Sequence, residues 1–156
     1  MQKITTFLWY DDQAEEAVNH YTSVFPDSRV IDVQRYGEAG PGEAGTVMTI
    51  AFELSGQRFT ALNGGPEFTF NEAVSLYVDC ADQAEVDMYW EKLGDGGEEG
   101  PCGWLKDRFG LYWQIVPRIL PELIGDPDPE RSARVMKAMF GMRKLDVQAL
   151  VDAGKP

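Results

Sequence analysis

The string DQAE occurs at positions 12–15 and again at 82–85. Each copy follows a short apolar run, TTFLWY before the first and AVSLYV before the second, and each opens a segment of helical apolar spacing. A repeat of element order as well as of letters limits the folds open to a 156-residue chain, because each copy must supply about half of the secondary structure. Residues 12–25 place Ala14, Ala17, Val18, Tyr21, Val24 and Phe25 on one helical face. Asp12 is expected to cap the first turn, Glu15 to reach back to it, and Pro26 to end the segment. Residues 82–93 repeat the design with Val86, Tyr89, Trp90 and Leu93, an Asp82 cap, Glu85 in the same role and Gly94 after the end. Capping chemistry alone favours this spacing of Asp and Glu, so the rest of each half has to carry the argument.

It does so. RVIDVQRY, TVMTIAFEL and QRFTALN follow the first helix, separated by the glycine-rich GEAGPGEAG and the turn SG. The loop GDGGEEGPCG, then GWLKD and LYWQIVP, follow the second. Setting Gly56 against Gly110 pairs Phe59 with Trp113, Thr60 with Gln114 and Leu62 with Val116. Each half reads strand, helix, then about three strands. The predicted fold is α+β, two βαβββ units over 1–66 and 67–117 forming a cup-shaped, mostly antiparallel sheet, followed by a helical extension over 118–156, all within one domain. In the extension, Asp128 before Pro129 starts a helix and Asp146 a shorter one. Met136, Met139 and Met142 recur with Val135 at helical spacing, a stripe read first as packing and otherwise as a cover over a ligand or a dimer partner.

A chain of this length can bury about two-thirds of its unfolded surface and needs no disulfide or metal for stability. Cys80 and Cys102 have no paired spacing, which favours a reducing, cytoplasmic setting. The apolar start is too short for a signal peptide, and no run approaches the ~20 apolar residues of a membrane span. A formal charge of −12, without a basic cluster, argues against nucleic acid and anionic membrane as partners.

Four stretches, FLWYDDQAEEAVNHYTSVFPDS, GQRFTALNGGPEFTFNEAVS, CGWLKDRFGLYWQIVP and DPDPERSARVMKAMFGM, run through nearly the whole chain. With the paired βαβββ plan they resemble the vicinal oxygen chelate superfamily of glyoxalase I, extradiol dioxygenases and bleomycin- and fosfomycin-resistance proteins. TALNGGP and CGWLKDRFG resemble most closely its PhnB-like branch, some of whose members have been labelled 3-demethylubiquinone 3-methyltransferase-like. The resemblance implies that each unit forms half of a cup, that four inward positions on the first and last strands of the units hold a divalent metal, and that two chains form a homodimer.

Those four positions fall here on Thr5, Thr60, Ala73 and Gln114. Threonine and alanine supply neither carboxylate nor imidazole, and a neutral amide is a weak ligand. The only histidine, His20, lies on the polar side of the first helix. A one-residue slip would turn Glu72 inward in place of Ala73, still a poor set. No cofactor is therefore expected, with a divalent metal as the alternative.

If Thr5 and Ala73 face inward, Phe7, Trp9, Ser75 and Tyr77 follow by alternation, while Ile4, Leu8, Val74, Leu76 and Val78 pack beneath the helices. Arg58, Thr60, Leu62, Tyr112, Gln114 and Val116 join the cup, with Trp104 at its rim. Trp9, Arg58, Thr60, Tyr77, Trp104, Tyr112 and Gln114 are the candidate ligand-binding residues, since aromatic walls with a few polar groups suit a small molecule, although the same rings could simply fill the interior. An Arg58 without a carboxylate partner would imply an anionic ligand group; paired to Asp107 it would be structural.

Four readings follow. The first is a metal-free small-molecule binder, like the bleomycin-resistance proteins. The second is a metal-dependent enzyme of glyoxalase or dioxygenase type, which needs a base that Gln114 cannot be. The third, a methyltransferase, lacks the strand, glycine loop and helix of a nucleotide-type cofactor site. The fourth is a homodimeric scaffold without a ligand. Tyr77, Tyr112 and Cys102 have no evident activating partner for metal-free catalysis.

Overall fold

The computed structural model describes residues 2–156. The elements run β1 (Thr6–Tyr10), α1 (Ala14–Val24), β2 (Arg29–Arg35), β3 (Val47–Leu54), β4 (Gln57–Asn63), β5 (Leu76–Cys80), α2 (Gln83–Gly94), β6 (Glu98–Glu99), β7 (Trp104–Lys106), β8 (Tyr112–Pro117), α3 (Ile119–Ile124), α4 (Pro129–Phe140) and α5 (Val147–Gly154). The chain divides into two compact units, the first ending at Phe70 and the second running Asn71–Pro156.

Each unit builds one four-stranded sheet of the same plan, ordered β1-β4-β3-β2 and β5-β8-β7-β6. In both, the strand before the helix pairs parallel to the last strand and the other pairs are antiparallel, the mixed α+β plan expected from the repeat. Phe7 stands opposite Thr60 and Tyr77 opposite Gln114, so the equivalence of Thr60 and Gln114 read from the turn glycines holds in the ladders.

In the first unit the apolar stripe of α1, Ala14, Ala17, Val18, Tyr21 and Val24, is buried along with Leu8, Ile50, Phe52, Phe59 and Ala61 of the sheet. Phe52 and Phe59, opposite one another in the β3–β4 ladder, stack with centroids 5.3 Å apart. The cap of α1 differs from expectation. The N-cap residue is Gln13, with no side-chain cap bond, and Asp12 does not serve. The Ala14 N–H instead donates to Asn63 Oδ1 at 2.8 Å, from the end of β4. Asn63 Nδ2 donates to the Val47 carbonyl at 3.1 Å, and the Asn63 carbonyl accepts from the Tyr36 hydroxyl. One asparagine thus ties the helix start, β3 and the long hairpin together, and the local cap is redundant.

In the second unit Asp82 caps α2 as expected, accepting from the Glu85 N–H at 3.0 Å, while Glu85 reaches back to the Ala81 N–H. Gly94 is the last residue of the helix and Asp95 follows as its cap. Val86, Tyr89, Trp90 and Leu93 are buried, as are Leu105, Trp113 and Ile115 of the sheet. Here β7 spans three residues and β6 two, too few to cover a core. The helical extension makes up the difference, with Val135, Leu145 and Leu150 forming one buried cluster with Val116 and Leu120.

Asp128 and Asp146 cap α4 and α5 as expected; α3, between them and β8, has no counterpart in the sequence reading because LPELI lacks a capping residue. The methionine stripe divides. Met139 and Met142 pack on the cluster while Met136 is exposed.

Two further expectations are corrected by the strand starts. Thr5 precedes β1, and Ala73 lies in a turn before β5; both are exposed, as are Ile4 and Val74, which alternation had placed under the helices. Without ladder partners the alternation rule has no purchase on them. No helix among the described residues is long and apolar enough to cross a membrane.

Candidate functional site

A cavity of about 1010 Å³ lies within the second unit. Its floor comes from one face of β8. Trp113 and Ile115 of this strand are buried, whereas the alternating Tyr112, Gln114 and Val116 line the cavity. Tyr77 on β5, paired with Gln114, and Trp104 on β7, also paired with Gln114, join it from either side. The helical extension supplies the opposite wall through Leu120, Ile124, Met139 and Phe140. Four of the seven candidate binding residues, Tyr77, Trp104, Tyr112 and Gln114, therefore share one cavity.

The amide in an apolar strand has a local partner, since Gln114 Nε2 donates to the Ser75 hydroxyl at 3.0 Å. Ser75, rather than Ala73, is thus the residue of the second unit's first strand region that meets Gln114. Alternation had placed Ser75 on the inward face, but the metal-ligand position was set two residues earlier, at Ala73, ahead of the strand. Glu72, weighed only as a product of register slip, lines the cavity from the turn before β5, with Glu98, Glu99 and Lys106. Lys106 lies 5.9 Å above the Tyr112 ring. Burial first, then a hydrogen bond to Glu72 and the charges of Glu72 and Glu98, push the Tyr112 phenol above its ordinary value. Burial also raises the Tyr77 phenol, with Asp79 and Cys80 adding to it, and raises the Cys102 thiol. None of the three is a general base or an activated nucleophile at neutral pH.

Trp9, Arg58 and Thr60 belong to the first unit. Trp9 donates from Nε1 to the Gly65 carbonyl at 2.9 Å and meets Phe68 edge-on at 5.0 Å. A Cβ at Gly64 would collide with the Trp9 indole, so this glycine is required by close approach. Gly64 and Gly65 also donate to the Tyr10 and Asp11 carbonyls. Thr60 is half-buried, and Arg58 is exposed near the start of β4. The proposed partner of Arg58, Asp107, is a buried turn organiser. Its Oδ1 accepts from the Phe109 and Leu111 N–H groups at 2.9 and 3.0 Å, and its Oδ2 from Trp113 Nε1 at 2.8 Å.

CGWLKDRFG has a second structural task. The Cys102 and Gly103 N–H groups donate to the Met142 and Arg143 carbonyls at 2.8 Å each, and the Gly103 carbonyl accepts from Ile115 at 2.7 Å. Gly103 has φ +85, and a Cβ there would meet Ile115 O and Leu145. The motif therefore clasps the extension against β8. Gln83 does the same from α2, its Nε2 donating to the Leu145 carbonyl and its Oε1 accepting from the Val147 N–H at 2.7 Å.

The four superfamily ligand positions do not make a metal set. Thr5 and Ala73 lie outside the strands, Gln114 is bonded to Ser75, and no group of three or more His, Cys, Asp and Glu fit to hold a metal occurs among the described residues. Nor do the described residues form the strand, glycine loop and helix of a nucleotide-type methyl-donor site. The β1–α1 and β5–α2 connections, residues 11–13 and 81–82, contain no glycine, and the glycine-rich 37–45 stretch joins two antiparallel strands.

Comparison with known proteins fits this architecture. A family model described as 3-demethylubiquinone-9 3-methyltransferase matches residues 2–116. Among solved structures, a PhnB protein from Bacillus cereus, described as a candidate 3-demethylubiquinone-9 3-methyltransferase, is 41% identical with a TM-score of 0.67, covering 74% of this chain and 99% of that one. Protein PA1353 from Pseudomonas aeruginosa shares the fold at 17% identity and a TM-score of 0.63, over 75% of this chain and 98% of that one. A glyoxylase/bleomycin resistance protein/dioxygenase domain from Frankia sp. EAN1pec matches at 16% identity and a TM-score of 0.44, over 75% and 92% of the two chains. No curated protein matches.

Proposed function

The chain belongs to the 3-demethylubiquinone-9 3-methyltransferase family, in its PhnB-like branch, and from that premise we propose that it binds a small molecule in the cavity of its second unit rather than transferring a methyl group. The observation that carries this reading is the cavity itself: about 1010 Å³, walled by four aromatic rings and the aliphatic side chains of the extension, with a few polar groups converging on Gln114 and Tyr112. A cavity filled by its own aromatic residues would be a second core, and this one is not filled.

The reading requires no cofactor. Carboxylates that could move a proton line the cavity, but the described residues bring together no group of three or more His, Cys, Asp and Glu fit to hold a Lewis-acid metal, so glyoxalase- or dioxygenase-type chemistry lacks its central part in the donor set.

The test is a thermal-shift screen with naphthalene- and quinoline-based fragments, run on the wild type and on Gln114→Leu combined with Trp104→Ala. A fragment held at 100 times its Kd stabilises by about 2.7 kcal/mol, a shift of several degrees. The expected result is a shift in the wild type that is lost in the double variant; equal shifts in both, or none in either, would overturn the assignment.

A second reading, association of two copies, draws on the first unit, where Ile4, Phe7 and Phe68 are 87%, 59% and 61% exposed. Sedimentation equilibrium of the wild type against Phe7→Ser with Phe68→Ser tests it, a monomeric wild type counting against a dimer.

A further inference from the structure

The polar groups of the cavity are unevenly signed. Glu72, Glu98 and Glu99 line it, against one basic residue, Lys106. That lysine stands opposite Glu98 in the β6–β7 ladder and sits over the Tyr112 ring, so it answers one carboxylate and leaves the balance negative. Glu99 accepts from Trp90 Nε1 at 3.0 Å. Gln114 commits an amide N–H to Ser75, and its carbonyl oxygen, an acceptor, makes no hydrogen bond among the described residues. The groups left to serve a ligand are therefore mostly acceptors.

The rings add to the same preference. Tyr77 and Phe140 remain 53% and 64% exposed at the cavity, and an aromatic face carries the negative lobe of its quadrupole. Behind burial, which disfavours charge of either sign, the charges of Glu72 and Glu98 also raise the Tyr112 phenol, and that part of the effect has the sign that favours a cation. Arg58, the group that would have called for an anion, is not among the lining residues.

We infer that the cavity selects an aromatic organic cation, its apolar body lying among Tyr77, Trp104, Val116 and Phe140 and its ammonium lying near Glu72 and Glu98. The inference rests on the reading that this cavity binds a small molecule, and it names the class of that molecule.

Three probes with the same 4-biphenylmethyl body and different heads separate the two claims: 4-biphenylmethyl-trimethylammonium, neutral 4-biphenylmethanol and anionic 4-biphenylacetate, each titrated calorimetrically into the full chain. The cation is expected to bind about tenfold more tightly than the alcohol, equivalent to about 1.4 kcal/mol, and the acetate more weakly still. Raising the salt from 0.05 to 0.5 M should erode the advantage of the cation and leave the alcohol unchanged.

In Glu72→Gln with Glu98→Gln, both exposed positions, the advantage should fall to about twofold while the affinity for the alcohol and the melting temperature persist. Equal binding of all three probes would overturn the cation preference and leave the binding cavity standing. Binding of none would overturn both. Tightest binding of the acetate would reverse the assignment of sign.

Discussion

In the first unit β3 and β2 run for eight and seven residues, while their counterparts in the second, β7 and β6, run for three and two. The long ladder of the first unit covers its own core with Leu8 and Tyr10 of β1, and on the opposite face Trp9 is held by Gly65 and Phe68 while Phe7 stays exposed. The short ladder of the second cannot. Its sheet is completed by the helices of the extension, and the space between β8 and those helices is the cavity. The two sheets thus share one plan, and the shorter one is completed by the helical extension. The shared DQAE string shows the same divergence. Its aspartate caps only α2, and its glutamine is a clamp for the extension in the second copy but an N-cap without a side-chain bond in the first.

The comparison breaks most severely if the extension is not part of the second unit. Leu145 is fully buried between Gly103 and the Val116–Leu150 cluster, so Leu145→Ala should cost about 3 to 4 kcal/mol by urea denaturation. Hydrogen exchange should quicken in β7 and β8 more than in β3 and β4. A loss below about 1 kcal/mol would detach the extension from the fold.

Next in size is Asp107→Ala. Removing a buried carboxylate from three donors should cost about 3 kcal/mol. The first unit turns at the same place with Ser55 and Gly56, at φ 46 and 89, and the carboxylate at the equivalent position, Glu53, pairs with Arg29 instead.

The two helix caps sharpen the contrast. Asn63→Ala should cost about 2 kcal/mol because it breaks bonds to both α1 and β3, whereas Asp82→Ala, a local cap, should cost about 1 kcal/mol. Equal losses in paired denaturation curves would show that the long-range asparagine does no more than a cap.

The smallest effect at neutral pH is an alkaline one. Burial, with the charges of Glu85 and Asp79 behind it, pushes the Cys80 thiol from 9.0 up to about 12. The folded state then holds this proton more tightly than the unfolded one. The contribution is therefore present in full below about pH 9 and is lost as pH rises towards 12, with a limiting slope of about 1.4 kcal/mol per pH unit. Melting temperatures between pH 8 and 11 should fall less steeply in Cys80→Ala than in the wild type.

Much of this was legible in the residues themselves. Period-2 and period-3.6 patterns act over a few residues, so β1 to β5, β7, β8, α1, α2 and the starts of α4 and α5 could be read from the sequence, as could the equivalence of Thr60 and Gln114. What escaped were features with no local signal: β6, at two residues too short for a period, and α3, which has no side-chain cap.

The candidate site divides along the same line. Tyr77, Tyr112 and Gln114 could be aligned on inward faces because each sits in or beside a paired strand. Thr5 and Ala73 could not, because alternation ends where the ladder does. The sequence by itself determined the duplicated plan, the family and the identity of the amide at the centre of β8. Only the tertiary structure decided that Asn63 and Asp107 are folding residues, that Arg58 is not among the residues lining the cavity, and that Glu72, Glu98 and the extension are. Those outcomes depend on contacts between residues far apart in the chain, and no spacing along one strand or helix encodes them.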